Sequence, residues 1–323
     1  MNINEEKDTR PIMVSIRCTA YNHEKYIRDA LEGFVMQKTN FRFEAIVHDD
    51  ASTDGTAAII REYAEKYPDI IKPIYETENQ YSKHDGSLGR IMNEACVGKY
   101  IAMCEGDDYW TDPYKLQKQV DILEKYKDVI VCCHLYQEYY ENIKSYTSVQ
   151  PILSDKFCFF DLKYYVSKEK WITQPLTCMY RNDKNVINHY LKYINSKDLS
   201  LFFCLLKNGN GYLLHRNMAI YRKHSGGVWT GTSEKGRIMS DYRCIKGIYD
   251  IERDDYSAEL LLNQFKKSTP VLFYLKNIKK LQPYTNIIIE KYGISYFIKV
   301  IIIKTYCSIR KEASHIVKSY IKR

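Results

Sequence analysis

The sequence predicts an α/β fold: a mostly parallel sheet flanked by helices, followed by a helical C-terminal appendage. Short apolar runs alternate with stretches whose apolar residues recur at helical spacing, the pattern that right-handed β-α-β crossovers produce. Polar and acidic residues gather where those runs end, at Tyr21, Asp50 and Glu105, and open sheets of this kind hold ligands at the C-terminal ends of their strands. After Ser233 the alternation stops, and from Lys266 basic and apolar residues are interleaved.

The predicted strands cover residues 13–18, 43–48, 70–75, 100–104 and 129–133. Between them Ile27, Ala30, Leu31 and Phe34 mark one helix, and Ala57, Ile60 and Ala64 a second behind the acid- and hydroxyl-rich turn 49–56. Leu88, Ile91, Met92 and Ala95 mark a third, and Leu116, Val120 and Leu123 a fourth, with Asp112 and Pro113 as its expected N-cap and first residue. Further on, residues 177–181 and 212–221 read as strands, Gly209 and Gly211 as a tight turn, and 199–206 as a fully apolar helix with Asp198 at its N-terminus. Ile238, Tyr242, Ile245 and Ile248 continue the helical spacing into the appendage. The predicted domains are 1–232, divided near 135, and a basic helical region 233–323.

At 323 residues and 45% hydrophobic content the chain can bury a large core. Its first ten residues are charged and predict no secretory signal. Ten scattered cysteines without a Cys-x-x-Cys pair predict a reduced, cytosolic compartment and no structural zinc. The net charge is +8, but the stretch from Lys266 onward holds thirteen Lys and Arg against Glu290 and Glu312, so the preceding residues are slightly acidic. A folded body of that sign predicts no nucleic-acid partner.

Glu105, Asp107 and Asp108 crowd around Gly106 at the end of the central strand. Carboxylates so close repel unless a cation sits among them, and all-oxygen ligands favour Mg²⁺ or Mn²⁺. The layout is that of a nucleotide-binding sheet, yet no Gly-x-Gly-x-x-Gly follows the first strand and no Gly-x-x-x-x-Gly-Lys-Ser/Thr occurs, which excludes a dinucleotide fingerprint and a P-loop. A bound diphosphate would instead be held through the cation.

Residues 14–22, the Val47-His48-Asp49-Asp50-Ala51-Ser52-Thr53-Asp54-Gly55-Thr56 turn and Glu105-Gly106-Asp107-Asp108 together resemble the successive signatures of family 2 glycosyltransferases with the GT-A fold. That resemblance implies an inverting, metal-dependent transfer from a nucleotide-diphosphate sugar, UDP-linked, to a glycan acceptor in surface-polysaccharide synthesis. It implies that Thr19, Tyr21 and Asn22 lie against the nucleoside, that Asp50 accepts a hydrogen bond from a uracil ring, and that Glu105-Gly106-Asp107 is the Asp-x-Asp-type motif. The motif opens on Glu rather than Asp, so both Asp107 and Asp108 are candidate metal ligands. Arg90 stands one position away from where relatives carry an arginine near Met92. The resemblance makes Asp198 the catalytic carboxylate, against a plain helix cap, and puts His224 at the metal or diphosphate. Arg222 is expected at the diphosphate, and Trp229 either stacks on a sugar or closes the core.

The stretch 296–304 is too short and too charged to cross a bilayer. It reads as a basic amphipathic helix on the anionic inner face of the cell membrane, which would bring the enzyme to a lipid-linked acceptor. Two other functions share parts of this pattern. A sugar-nucleotide pyrophosphorylase needs a Gly- and Lys-rich phosphate loop after the first strand, which this chain lacks. A non-catalytic glycan-binding protein of the same fold would bind sugar without turnover.

Overall fold

The computed structural model describes residues 8–149, 158–167 and 172–321, the side chains of 228, 229 and 308–321 excepted. The chain forms two compact units: the first runs to Tyr165 and takes in Glu169–Lys192 and Ser196–Gly231, and the second is chiefly the chain from Thr232 onward, with short pieces at Val166–Lys168 and Tyr193–Asn195.

In the first unit β1 (Ile12–Ala20) is central, burying Val14, Ile16, Cys18 and Ala20. Helix α1 (Ile27–Val35) packs with Ile27, Ala30, Leu31 and Phe34 buried, one apolar stripe at the 3.6-residue period. The unit repeats through β2 (Arg42–Asp49), α2 (Thr56–Lys66), β3 (Ile71–Tyr75), α3 (Ser87–Ala95) and β4 (Tyr100–Met103), so that β3, β2, β1 and β4 lie parallel side by side. Next come β5 (Tyr109–Trp110), α4 (Lys115–Lys125), β6 (Val129–Tyr140), β7 (Ser145–Tyr146), β8 (Phe159–Phe160), α5 (Leu162–Ser167), β9 (Met179–Arg181), α6 (Lys184–Tyr190), α7 (Asp198–Leu206), β10 (Asn210–Lys223) and α8 (Val228–Gly231). Among the described residues the sheet is ten-stranded, in the order β3-β2-β1-β4-β9-β6-β10-β5, with β7 on β6 and β8 on β10. The long pairings, including β6 with β10, are parallel, and the short strands β5 and β9 insert antiparallel. This is the mixed, mostly parallel sheet expected.

Three local readings need correction. Helix α4 starts at Lys115, not at Pro113: Asp112 accepts the Tyr114 N–H at 2.8 Å and pairs with Lys118, making a turn ahead of the helix. Residues 175–177 form a 3₁₀ turn, leaving only Met179–Arg181 as strand. Gly211 is inside β10 rather than in a turn, and it is required there because a Cβ would meet the Phe160 ring at 2.1 Å.

The second unit contains α9 (Glu234–Glu252), α10 (Asp255–Ser268), α11 (Val271–Lys276), α12 (Ile278–Tyr292) and α13 (Ile294–Ile321). Ser233 caps α9 by accepting the Gly236 N–H, and Asp254 caps α10 by accepting the Ser257 N–H at 2.9 Å. Ile245, Ile248, Leu261, Phe265, Leu281 and Ile288 are buried between these helices. No helix among the described residues is long and apolar enough to cross a membrane.

Candidate active site

Three strand exits meet at one edge of the first unit. The Gly106 N–H donates to the Thr19 carbonyl at 2.9 Å and the Asp50 N–H to the Ala20 carbonyl at 2.9 Å, so the β4 and β2 loops are stitched to the end of β1. Asn22, in the left-handed region at φ 56°, completes the stitching: its side-chain oxygen accepts the Thr53 N–H at 2.8 Å and its own N–H donates to Ser52 Oγ at 2.9 Å. Gly106 is required by proximity rather than by a left-handed turn, for a Cβ there would lie 2.8 Å from Ile27 Cδ1 and 3.0 Å from Ala20 Cβ.

Asp107 occupies the middle of this edge. Its Oδ2 lies 3.0 Å from His224 Nε2 and 3.9 Å from His23 Nε2, while its Oδ1 is buried with no hydrogen-bond partner. Burial alone would raise its pKa, but the His224 hydrogen bond and the two imidazoles outweigh that and hold it below the ordinary carboxylate value. His224 follows β10 and its ring centroid is 4.4 Å from that of Tyr26; Thr230 Oγ1 and the Gly227 N–H both donate to its carbonyl.

Asp108 points elsewhere. It is buried, accepts the Arg222 N–H at 2.8 Å, and is pushed well above the ordinary range by burial and then by Asp107. Of the two candidate metal ligands, Asp107 is the one with a buried, partnerless oxygen beside an imidazole. Glu105, on the same loop, is exposed at its surface, yet the protein around it costs its carboxylate solvation. Those surroundings push it up to about 8, with the charges of Asp107 and Asp198 adding and Arg17 opposing. Asp198 is thus close enough for Glu105 to feel it. It is the first residue of α7, a helix whose residues from Leu199 to Leu206 are all buried, and its Oδ1 accepts the Leu199 N–H at 2.8 Å, so it also serves the helix terminus.

Arg222 differs from the expectation of a free phosphate-binding cation. Nε donates to the Asp107 carbonyl at 3.0 Å, Nη1 to Glu141 Oε2 at 3.1 Å and Nη2 to Asp29 Oδ2 at 2.5 Å. The guanidinium lies 5.0 and 5.1 Å from the ring centroids of Tyr26 and Tyr109, and the side chain is 7% exposed. Its side chain ties the acidic loop to Glu141 and to Asp29 of α1. Asp50 is likewise occupied, both carboxylate oxygens accepting backbone N–H groups, from Gln80 at 2.6 Å and Tyr81 at 3.0 Å. Thr19 is half-buried, Tyr21 is exposed at the β1 exit, and Arg90 is turned to its own loop, donating to the Asp85 carbonyl at 2.8 Å. The side chain of Trp229 lies outside the described residues.

Sequence reasoning missed His23 and Arg17. His23 was findable, since it follows Tyr21-Asn22 in the same strand-exit loop, and Arg17 is a charge inside an otherwise apolar strand. Among the described residues no three His, Cys, Asp or Glu side chains form a ready metal cage. A partnerless carboxylate oxygen beside an imidazole nevertheless fits a divalent cation whose remaining ligands come from phosphate oxygens and water.

The family model described as "Glycosyl transferase family 2" matches residues 15–186, more than half of the chain. The chain belongs to that family. An uncharacterised Mycobacterium tuberculosis protein is 36% identical over 216 residues, 67% of this chain and 60% of its own length; the chain thus spans about 60% of the mycobacterial relatives it matches. The Escherichia coli glucosyltransferase WfaP, named for transfer from UDP-Glc to GlcNAc-diphosphoundecaprenol, is 27% identical over 220 residues, 67% of this chain and 79% of its own. Among solved structures, TarS 1-349 of S. aureus in complex with UDP-GlcNAc aligns at a TM-score of 0.61 with 19% identity, covering 90% of this chain and 82% of that one. The fold is GT-A.

Proposed function

We propose that this family 2 chain transfers a sugar, with inversion, from a UDP-linked donor to a glycan acceptor carried on a lipid at the cytoplasmic face of the cell membrane. The observation that carries the reading is the meeting of Asp107, His224, Glu105 and Asp198 at the β1, β2 and β4 exits, the ligand-binding edge of such a sheet. The UDP-GlcNAc complex of TarS supports the choice of donor, and the acceptor in the name of WfaP supports a lipid carrier.

Asp198 accepts the proton of an acceptor hydroxyl as that oxygen attacks the anomeric carbon; the bond from that carbon to the donor phosphate breaks, and the nucleoside diphosphate leaves with its electrons. Asp107 and His224 would hold a Mn²⁺ or Mg²⁺ ion, which when bound neutralises the charge growing on the departing diphosphate. Arg222 keeps the Asp107 backbone in place, and Tyr21 offers an exposed ring at the β1 exit for the nucleoside. The test is a panel of nucleotide sugars with Mn²⁺ and lipid-linked acceptors, scored for nucleotide release and for product. Release with one donor and glycan product on the lipid is expected. Binding of a sugar without turnover across the panel would instead identify a non-catalytic glycan-binding protein.

A further inference from the structure

The two sides of α13 are both apolar, which a helix on a water-facing surface does not need. One side is buried: Phe297 and Val300 pack inward, the Phe297 ring 5.2 Å from that of Phe265 and 6.2 Å from that of Tyr274 on α11. Half-buried Lys304 stays on this inner side, donating to the carbonyls of Phe265 and Lys266. At 100° per residue, Ile298, Ile302, Tyr306 and Ile303 fall on the opposite side. There Ile302, Ile303 and Tyr306 are 61%, 62% and 65% exposed, and Ile298 is 50% exposed. One apolar side is thus spent on α10 and α11, and further apolar residues are left on the outer side. Four large apolar residues exposed on the outer side, with Lys299 among them, are more than a surface in water needs.

The exposed cations select the occupant. Lys276, Lys279, Lys280 and Lys299 are exposed on α11, α12 and α13, whereas Glu290 is the one acid between Val271 and Cys307. Exposed Leu272, Leu275 and Ile278 add apolar surface on the neighbouring elements. Isoleucines and a tyrosine for the acyl boundary, with lysines beside them for anionic headgroups, are the two components of interfacial binding. A second copy of this chain would bring lysine against lysine. We infer that the outer ridge of α13, centred on Ile298, Ile302 and Ile303, inserts into the interface of an anionic bilayer. The inference rests on the lipid-acceptor reading above and names the surface that meets the lipid.

The experiment is cosedimentation of the full chain with phosphatidylcholine vesicles, with and without phosphatidylglycerol. The intact protein is expected to bind the anionic vesicles and to lose affinity as salt is raised. Ile298→Glu with Ile302→Glu is expected to weaken binding by about 100-fold or more, since two branched side chains that would enter the bilayer are lost and two repelled charges are gained. Ile298→Ala with Ile302→Ala, which leaves helix propensity high, is expected to weaken it by about 10-fold. Circular dichroism checks that both variants fold. Unchanged vesicle binding in the folded Glu variant overturns the inference, as does light scattering that shows a dimer which the same variant dissolves. Nucleotide release from the donor in vesicle-free buffer is expected to be the same in wild type and variants. Its absence from wild type would count against the transferase reading and leave the ridge to be judged by the vesicles alone.

Discussion

Arg222→Lys keeps a positive charge at the centre of the site and removes the planar fork, so it isolates what the guanidinium does. The Arg222 backbone N–H to Asp108 is untouched by the change. Of the three side-chain bonds, the one to Asp29 involves a carboxylate 55% exposed and counts as a surface bridge of about 0–1 kcal/mol. Those to Glu141 and to the Asp107 carbonyl are sheltered and contribute about 1.5–3 kcal/mol each, and stacking on Tyr26 and Tyr109 adds about 1 kcal/mol. An ammonium group can keep roughly one of the sheltered bonds, so the expected loss is about 3 kcal/mol, or roughly 6–12 °C in melting temperature for a unit of this size. Differential scanning fluorimetry reads that shift, and nucleotide-release kinetics should show kcat falling more than KM rises, because a displaced Asp107 misplaces the leaving diphosphate. A Lys variant with wild-type melting temperature and turnover would refute the positioning role.

Asp198→Asn preserves the shape at the start of α7 but cannot take a proton; turnover should fall by about 10² or more with donor affinity nearly intact, measured by kinetics and by titration of UDP. A lowered melting temperature with normal turnover would reduce Asp198 to a helix-terminus residue. Lys115 is wholly buried, donates to Gln119 Oε1 at 2.7 Å and lies 3.8 Å from the Trp110 ring centroid; burial pulls its pKa from 10.5 down to about 8. Between those values the unfolded chain holds the proton and the folded one does not, so stability should rise with pH by about 3 kcal/mol across that window and flatten below it. Urea midpoints taken through the window should show this rise in wild type and lose it in Lys115→Met.

The strand-helix alternation was legible because each crossover buries one face, and burial leaves a period of 2 or 3.6 in the residues themselves. The strand-exit loops were legible for the same reason, as polar residues ending apolar runs. The far half of β6 was not: Gln137, Glu138, Tyr139 and Tyr140 alternate with no core face and are strand only because β10 pairs with them. Nor was the setting of Arg222, whose partner Asp29 is 193 residues away and whose other side-chain partners, Asp107 and Glu141, come from two separate loops. The choice between Asp107 and Asp108 also lay beyond the sequence, because it depends on which carboxylate the β10 backbone takes up. In the second unit the basic-apolar interleaving was plain, but only packing shows that Phe297 and Val300 face inward and that Ile302 and Ile303 are left outside.

In the proposed reaction, departure of the diphosphate depends on a cation that Asp107 would hold. The measurement that tests it most directly is nucleotide release from the preferred UDP-sugar as Mn²⁺ is titrated into metal-stripped wild type and Asp107→Ala. Saturable activation of the wild type, reversed by EDTA, is expected, with loss of release in the variant at every metal concentration and weaker donor binding. Full turnover in the Ala variant, or in wild type with EDTA present, would contradict it.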